Sequence, residues 1–286
     1  MFIRRALLLC AAATLMSNAW ATQTEEETLE KMTAAHQHDE PVPAAAAAGP
    51  AVEGVLTQTV VYGHEGAREL KGFIAWPDEA ENAPPAVLLI HEYWGLNDNI
   101  REMARKFAAE GYVALAVDLY DGQVADTPEK AEALVKQTVE NDEAFKSNLR
   151  QGYQFLKDSA QAPRIGSVGW CFGGGMSLQA ALLLPGELDA AVLYYGFLVQ
   201  DRDRLATLDT PLLGLYGGKD SSIPTADVER FEQMLRALKK PIEIKIYPGA
   251  EHAFANPSGT HYNPEATADA WKRTLAFLEK NLKKES

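Results

Sequence analysis

The segment whose reading decides the fold is Ile165-Gly166-Ser167-Val168-Gly169-Trp170-Cys171-Phe172-Gly173-Gly174-Gly175-Met176-Ser177. A short apolar run ends at Trp170 and a helix can start near Gly173, so Cys171 falls in the turn between strand and helix. The pattern Gly169-Trp170-Cys171-Phe172-Gly173 is G-x-S-x-G with sulfur in place of oxygen. Glycines two residues either side let neighbouring backbones approach closely. The helix aims unpaired N–H groups and its positive dipole end at the thiol, which favours thiolate and stabilises charge on a bound carbonyl oxygen. A free cysteine in a glycine-rich turn can also be mere packing. The strand before and the helix after favour a cysteine-dependent hydrolase, and partners elsewhere in the chain have to decide between the two.

Working outward, Val55–Tyr62 and Leu70–Trp76 read as an antiparallel pair joined by a turn around Gly63–Gly66, with His64 in that turn as a solvated loop residue. Ala86–Ile90 is a continuous apolar run, as expected of a strand buried on both faces. It delivers His91-Glu92-Tyr93-Trp94-Gly95 at its carboxyl end. Asn97 or Asp98 can cap a helix over Asn99–Glu110, and Tyr112–Leu119 is the next strand, followed by Tyr120. Thr127-Pro128-Glu129 opens one or two helices lasting to about Asp158. After the Cys171 segment come strands at Asp189–Tyr195, Pro211–Tyr216 and Ile242–Tyr247, with helices over Pro224–Leu238 and Pro264–Lys284. This alternation specifies an α/β chain with a doubly wound, mostly parallel sheet, helices on both faces, and a site beyond the carboxyl ends of its strands.

Counting only strand ends, Cys171, Asp220 and His252 occur in the order nucleophile, acid, histidine. The roles follow: Cys171 attacks an acyl carbonyl as thiolate, His252 carries the proton, and Asp220 orients the imidazole. His261 competes for the histidine role but lies further along the loop. Backbone N–H groups of Phe172 and Tyr93 are the expected oxyanion donors. Trp94, Tyr120, Tyr195, Phe254 and Asn256 are candidate substrate contacts. Glu92, at the end of a buried strand, is either a structural acceptor or a group that takes the thiol's proton, and spacing alone leaves both open.

Taken together, His91-Glu92-Tyr93-Trp94-Gly95-Leu96-Asn97, Gly169-Trp170-Cys171-Phe172-Gly173-Gly174, Tyr194-Tyr195-Gly196, Gly218-Lys219-Asp220 and Gly249-Ala250-Glu251-His252-Ala253-Phe254 resemble the dienelactone hydrolases (carboxymethylenebutenolidases), over nearly all of Val55–Leu282. The resemblance implies an α/β-hydrolase fold, a Cys-Asp-His triad, and a Glu92 that keeps the resting thiol protonated and accepts its proton when substrate arrives. It also exposes a departure. The dienelactone enzymes grip a substrate carboxylate with two arginines, whose places hold Gly122 and Asn256 here. Neither can imitate a bidentate guanidinium. The expected substrate is therefore a small ester or lactone other than dienelactone. The alternative class is a binding protein that retains the pocket without turnover.

At the amino terminus, Met1-Phe2-Ile3-Arg4-Arg5, an apolar run from Ala6 to Met16 and Ala19-Trp20-Ala21 read as a secretory signal peptide cleaved after Ala21. No run is long enough to span a bilayer, so export to a periplasm without stable membrane insertion is expected. Cleavage removes Cys10, leaving Cys171 as a lone thiol, and moves the formal charge from −13 to −15 (25 basic against 40 acidic residues). So acidic a chain does not suit nucleic acid. Residues 22–52, rich in Glu, Gln, Ala and Pro, read as a mobile tether before a single domain over 53–286. His36-Gln37-His38-Asp39 in that tether could hold a metal ion, but two histidines in a flexible tail are ordinarily just solvated. No metal or organic cofactor is implied.

Overall fold

The computed structural model describes residues 30, 33, 34, 36, 52–80 and 82–283. The expected signal peptide and most of the expected tether lie outside the described residues. Among the described residues eight strands form one sheet: β1 (Val55–Glu65), β2 (Arg68–Pro77), β3 (Ala86–Ile90), β4 (Val113–Val117), β5 (Ile165–Trp170), β6 (Ala190–Tyr194), β7 (Leu212–Gly217) and β8 (Ile242–Tyr247), in spatial order β1-β2-β4-β3-β5-β6-β7-β8. β1 and β2 pair antiparallel and β2 joins β4 antiparallel, while every pair from β4 to β8 is parallel. Every residue of β3, β4, β5, β6 and β7 is buried. Since successive side chains point to opposite faces, both faces of the central sheet are covered. The alternation read from the sequence is therefore a doubly wound sheet.

Among the described residues from 52 onward the helices are α1 (Asp98–Ala109), α2 (Pro128–Glu140), α3 (Asp142–Asp158), α4 (Phe172–Leu183), α5 (Arg202–Ala206), α6 (Thr225–Ala237) and α7 (Pro264–Leu282). Of the two candidate caps for α1, Asn97 is the one used: its side chain accepts from the Ile100 N–H at 3.2 Å. Thr127 and Asn263 cap α2 and α7 in the same way, each with proline in the first turn. The long helical region is two helices, broken at Asn141 (φ −101°, ψ 63°). The short helix α5 was not anticipated. The first hairpin also differs from expectation, because β1 continues to Glu65 and the turn falls after it. His64 thus sits in β1 opposite Glu69, and its backbone N–H donates to Gln151 Oε1 at 2.7 Å.

The sheet also positions the site. Ile90 pairs with Val117 on one side and Gly169 on the other, Trp170 pairs with Tyr194, and Gly217 with Tyr247. These registers bring the carboxyl ends of β3, β4, β5, β6, β7 and β8 to one edge. The chain winds from β3 outward to β4 in one direction and from β5 outward to β8 in the other. The switch point, where such folds open a crevice, therefore lies between β3 and β5.

Candidate active site

Cys171 stands at that switch point with φ 53° and ψ −116°, a conformation side chains rarely adopt and which costs on the order of 1–3 kcal/mol. Hydrogen bonds on both sides hold it there: its N–H donates to Tyr194 O at 3.0 Å, and its carbonyl accepts from Gly175 N–H at 3.2 Å. The flanking glycines are sterically required. A Cβ on Gly169 would lie 1.9 Å from Gly173 O, and one on Gly173 would lie 2.2 Å from Ile90 O. Both obstacles are backbone and cannot swing aside. Gly173→Ala should therefore lose more than about 3 kcal/mol of stability, against less than about 0.5 for Gly249→Ala, where a Cβ meets nothing within 4 Å. Denaturant midpoints measure the contrast, and equal midpoints would contradict the tight elbow.

Around the sulfur, Asp220, His252 and Cys171 meet in a chain of contacts. His252 Nε2 lies 3.2 Å from Cys171 Sγ, and His252 Nδ1 lies 2.8 Å from Asp220 Oδ2. Asp220 is itself pinned, its Oδ1 accepting the backbone N–H groups of Ser222 at 2.8 Å and Ile223 at 3.0 Å. His261 is elsewhere, paired with Glu251 at 3.3 Å. Cys171 is wholly buried and His252 is 3 % exposed. Burial pushes the thiol up, but the imidazoles of His252 and His36 outweigh it and bring Cys171 down to about 6. For His252, burial lowers the imidazole, yet Asp220 and the thiolate outweigh that and hold it well above its usual value. The pair therefore favours thiolate facing imidazolium at neutral pH.

His36 is the residue that sequence reasoning missed. It was expected to be solvated in a tether, but it is 2 % exposed, with Nε2 at 3.4 Å from Cys171 Sγ. Its ring stacks on Tyr93 (4.8 Å between centroids, 13° between planes) and meets Trp94 and His252 edge-on at 5.8 and 5.5 Å. The described residues around it, 30, 33 and 34, are helical, in keeping with the helix-forming composition there. Thr33 Oγ1 lies 3.3 Å from the Tyr93 hydroxyl, which also donates to Pro128 O at 2.8 Å. Nothing in an Ala- and Pro-rich segment signals a contact with Cys171, 135 positions away.

Glu92 is buried beside the pair, and its bonds go elsewhere than the sulfur. Tyr195 Oη donates to Oε1 at 3.3 Å and Asn256 Nδ2 to Oε2 at 2.9 Å. Burial, then the negative charge of Cys171, pushes its carboxyl up to about 7. Tyr195 and Asn256, taken from sequence as substrate contacts, thus also hold Glu92. Phe254 is fully buried against Tyr195 at 5.2 Å. Tyr120 is buried with its hydroxyl on Tyr93 O at 3.2 Å, and its ring stacks on Phe172 at 5.8 Å. Phe172 is the first residue of α4, so its N–H belongs to the unpaired helix start. His91 is structural: Nε2 accepts the Leu119 N–H at 3.1 Å, which leaves Nδ1–H to donate to Glu92 O at 2.8 Å. Two surface hollows, of about 100 and 470 Å³, lie around Arg68, Asp121 and Asn148 and include none of Cys171, Asp220 and His252.

A strand-to-helix elbow followed along the chain by carboxylate and imidazole, all beyond one edge of a mostly parallel sheet, defines an α/β-hydrolase. Residues 70–282 match the model of the dienelactone hydrolase family. A protein of Saccharolobus solfataricus provisionally named carboxymethylenebutenolidase is 34 % identical over 262 residues, covering 79 % of this chain and 99 % of that protein. The crystal structure of a provisionally named dienelactone hydrolase from Klebsiella pneumoniae superposes with a TM-score of 0.71 at 32 % identity, covering 79 % of this chain and 99 % of that one. A dienelactone hydrolase-like promiscuous phosphotriesterase from metagenomic libraries shares the fold, with a TM-score of 0.72 at 23 % identity over 80 % of this chain and 99 % of that one. The chain belongs to the dienelactone hydrolase family and is a hydrolase of the ester and lactone class. No helix among the described residues is long and apolar enough to cross a membrane.

Proposed function

We propose that this protein hydrolyses small, neutral esters or lactones through an acyl-thioenzyme at Cys171. The observation that carries the reading is the unbroken line from Asp220 Oδ2 through His252 to Cys171 Sγ, with separations of 2.8 and 3.2 Å on a strained elbow. Thiolate attacks the acyl carbonyl, and the tetrahedral oxyanion is met by N–H groups of Phe172 and Tyr93. His252 then gives its proton to the leaving alkoxide, and water, deprotonated by His252, releases the acid. Because Sγ is buried, a covering group must move before substrate reaches it. His36, which precedes β1 in the chain, is one of the groups that cover it. The preference for a neutral substrate rests on Gly122 and Asn256, the latter already engaged with Glu92. A panel of short neutral and carboxylate-bearing esters and lactones tests it, and faster turnover of the carboxylate-bearing members would refute the neutral preference.

Within this reading Glu92 regulates the thiol's proton. Burial, and after it the charge of Cys171, pushes its carboxyl up to about 7, so above that pH its charge opposes the thiolate. Glu92→Gln removes that opposition. Alkylation of Cys171 by iodoacetamide should therefore gain at pH above about 7, where the wild-type carboxylate opposes the thiolate, and match wild type below it. An unchanged alkylation profile would return Glu92 to a structural role. Export is proposed alongside, supported by the Arg4-Arg5, apolar-run and Ala19-Trp20-Ala21 sequence. Amino-terminal sequencing should find a mature chain starting at Thr22, and an intact Met1 on the fractionated protein would count against it.

A further inference from the structure

We propose that Cys171, His252 and His36 form a binding site for a thiophilic divalent cation, Zn²⁺ first among them, which closes the hydrolytic site when occupied. One ligand atom from each of these buried residues lies within 4.8 Å of the other two. The sulfur-to-nitrogen separations are 3.2 Å to His252 and 3.4 Å to His36. A tetrahedral Zn²⁺ with bonds of about 2.3 Å to sulfur and 2.0–2.1 Å to nitrogen sets its ligands about 3.3–3.6 Å apart. The two sulfur-to-nitrogen separations already match, while the two imidazole nitrogens, within 4.8 Å of each other, must close by up to about 1.5 Å to complete three corners of that tetrahedron, with the fourth left for water. A thiolate and two imidazoles are also the donor types that zinc selects over magnesium or calcium.

The surroundings are those of a supported metal ligand set. His252 presents Nε2 to the sulfur because its Nδ1 is held by Asp220 at 2.8 Å, the carboxylate–histidine arrangement that orients and strengthens a metal-bound imidazole. His36 is oriented by its stack on Tyr93 and its edge contact with Trp94. The charges compensate: a dication faces one thiolate and the Asp220 carboxylate, with the Glu92 carboxyl buried beside them, as buried charges require. On binding, the proton shared by the thiol and His252 leaves to solvent, the sulfur and both imidazole lone pairs bind the ion, and no electron is transferred. The bound ion takes up the sulfur lone pair that would attack a carbonyl and ties His36 in place over it. The inference concerns binding and does not rest on the acyl-thioenzyme reading.

The test is a calorimetric titration of metal-free, reduced protein with Zn²⁺, paired with Co²⁺ absorption as a reporter of thiolate ligation. Wild type should bind one ion per chain and show a thiolate-to-Co²⁺ charge-transfer band. His36→Ala should weaken Zn²⁺ binding at least about tenfold. Cys171→Ala should lose the band, and His38→Ala and His261→Ala should bind as wild type. Circular dichroism checks the fold of each variant, and His36→Gln serves if the alanine variant is unstable. Unchanged affinity in both His36 variants, no stoichiometric binding, a band that survives Cys171→Ala, or binding that follows His38 would each overturn the proposal.

Discussion

Cys171→Ala should reduce kcat/KM for short activated esters by at least about 10⁴-fold, down towards the uncatalysed rate, while the protein stays folded. The size of the effect follows from what is removed. In a covalent mechanism the nucleophile is not one contributor among several, because His252 and Asp220 act only through it, and the loss of any such unit is grossly non-additive. The fold should survive because the substitution deletes one sulfur atom and leaves the Cβ that already occupies the unusual backbone conformation at 171. In wild type, activity should rise as pH passes upward through about 6, where the thiol loses its proton. A thiol-selective alkylating agent should abolish it with one adduct per chain, located on Cys171. Ester hydrolysis undiminished in the alanine variant would exclude the acyl-thioenzyme and require another nucleophile.

What was legible in the sequence was whatever depends on local pattern or on order along the chain. The buried runs of β3 to β7, a cap at Asn97 or Asp98, the helix start at Thr127-Pro128-Glu129 and the elbow at Cys171 are all short-range signals, and the structure meets them closely. The bringing together of Cys171, Asp220 and His252 was legible as well, because a doubly wound sheet carries strand ends to one edge. What was not legible depends on contacts between side chains distant in sequence. Asn256 was read as a substrate contact, yet its amide is spent on Glu92, a bond across 164 positions that no periodicity encodes. His36 lies in a stretch whose composition argues for solvation, and only the stack on Tyr93 and the approach to the sulfur place it in the site. The extension of β1 past Gly63 was hidden by glycine and charged residues in a strand whose backbone is secured partly by Gln151.

Those same distant contacts decide the second large effect. Asp220→Asn should lower kcat/KM by roughly 10³–10⁴-fold and shift the onset of Cys171 alkylation upward from about 6, although the side chain keeps its shape. Asp220 Oδ1 receives two backbone N–H groups, from Ser222 and Ile223, and Oδ2 faces His252 Nδ1. An asparagine must keep its carbonyl oxygen where the two N–H groups point, since its own NH₂ there would face two donors. The NH₂ group is then turned towards Nδ1. Imidazolium carries a hydrogen on Nδ1 and is repelled, while the neutral ring accepts at Nδ1 and puts its proton on Nε2, the nitrogen that has to take the thiol's proton. The substitution thus removes both the charge that raises His252 and the tautomer that can act as base. With less imidazolium beside it, the buried thiol returns towards its higher, desolvated value, so thiolate forms only at higher pH. The pH profiles of ester turnover and of iodoacetamide alkylation measure the two consequences separately. If both matched wild type, Asp220 would be a turn residue held by Ser222 and Ile223, and the acid of the site would have to be sought elsewhere.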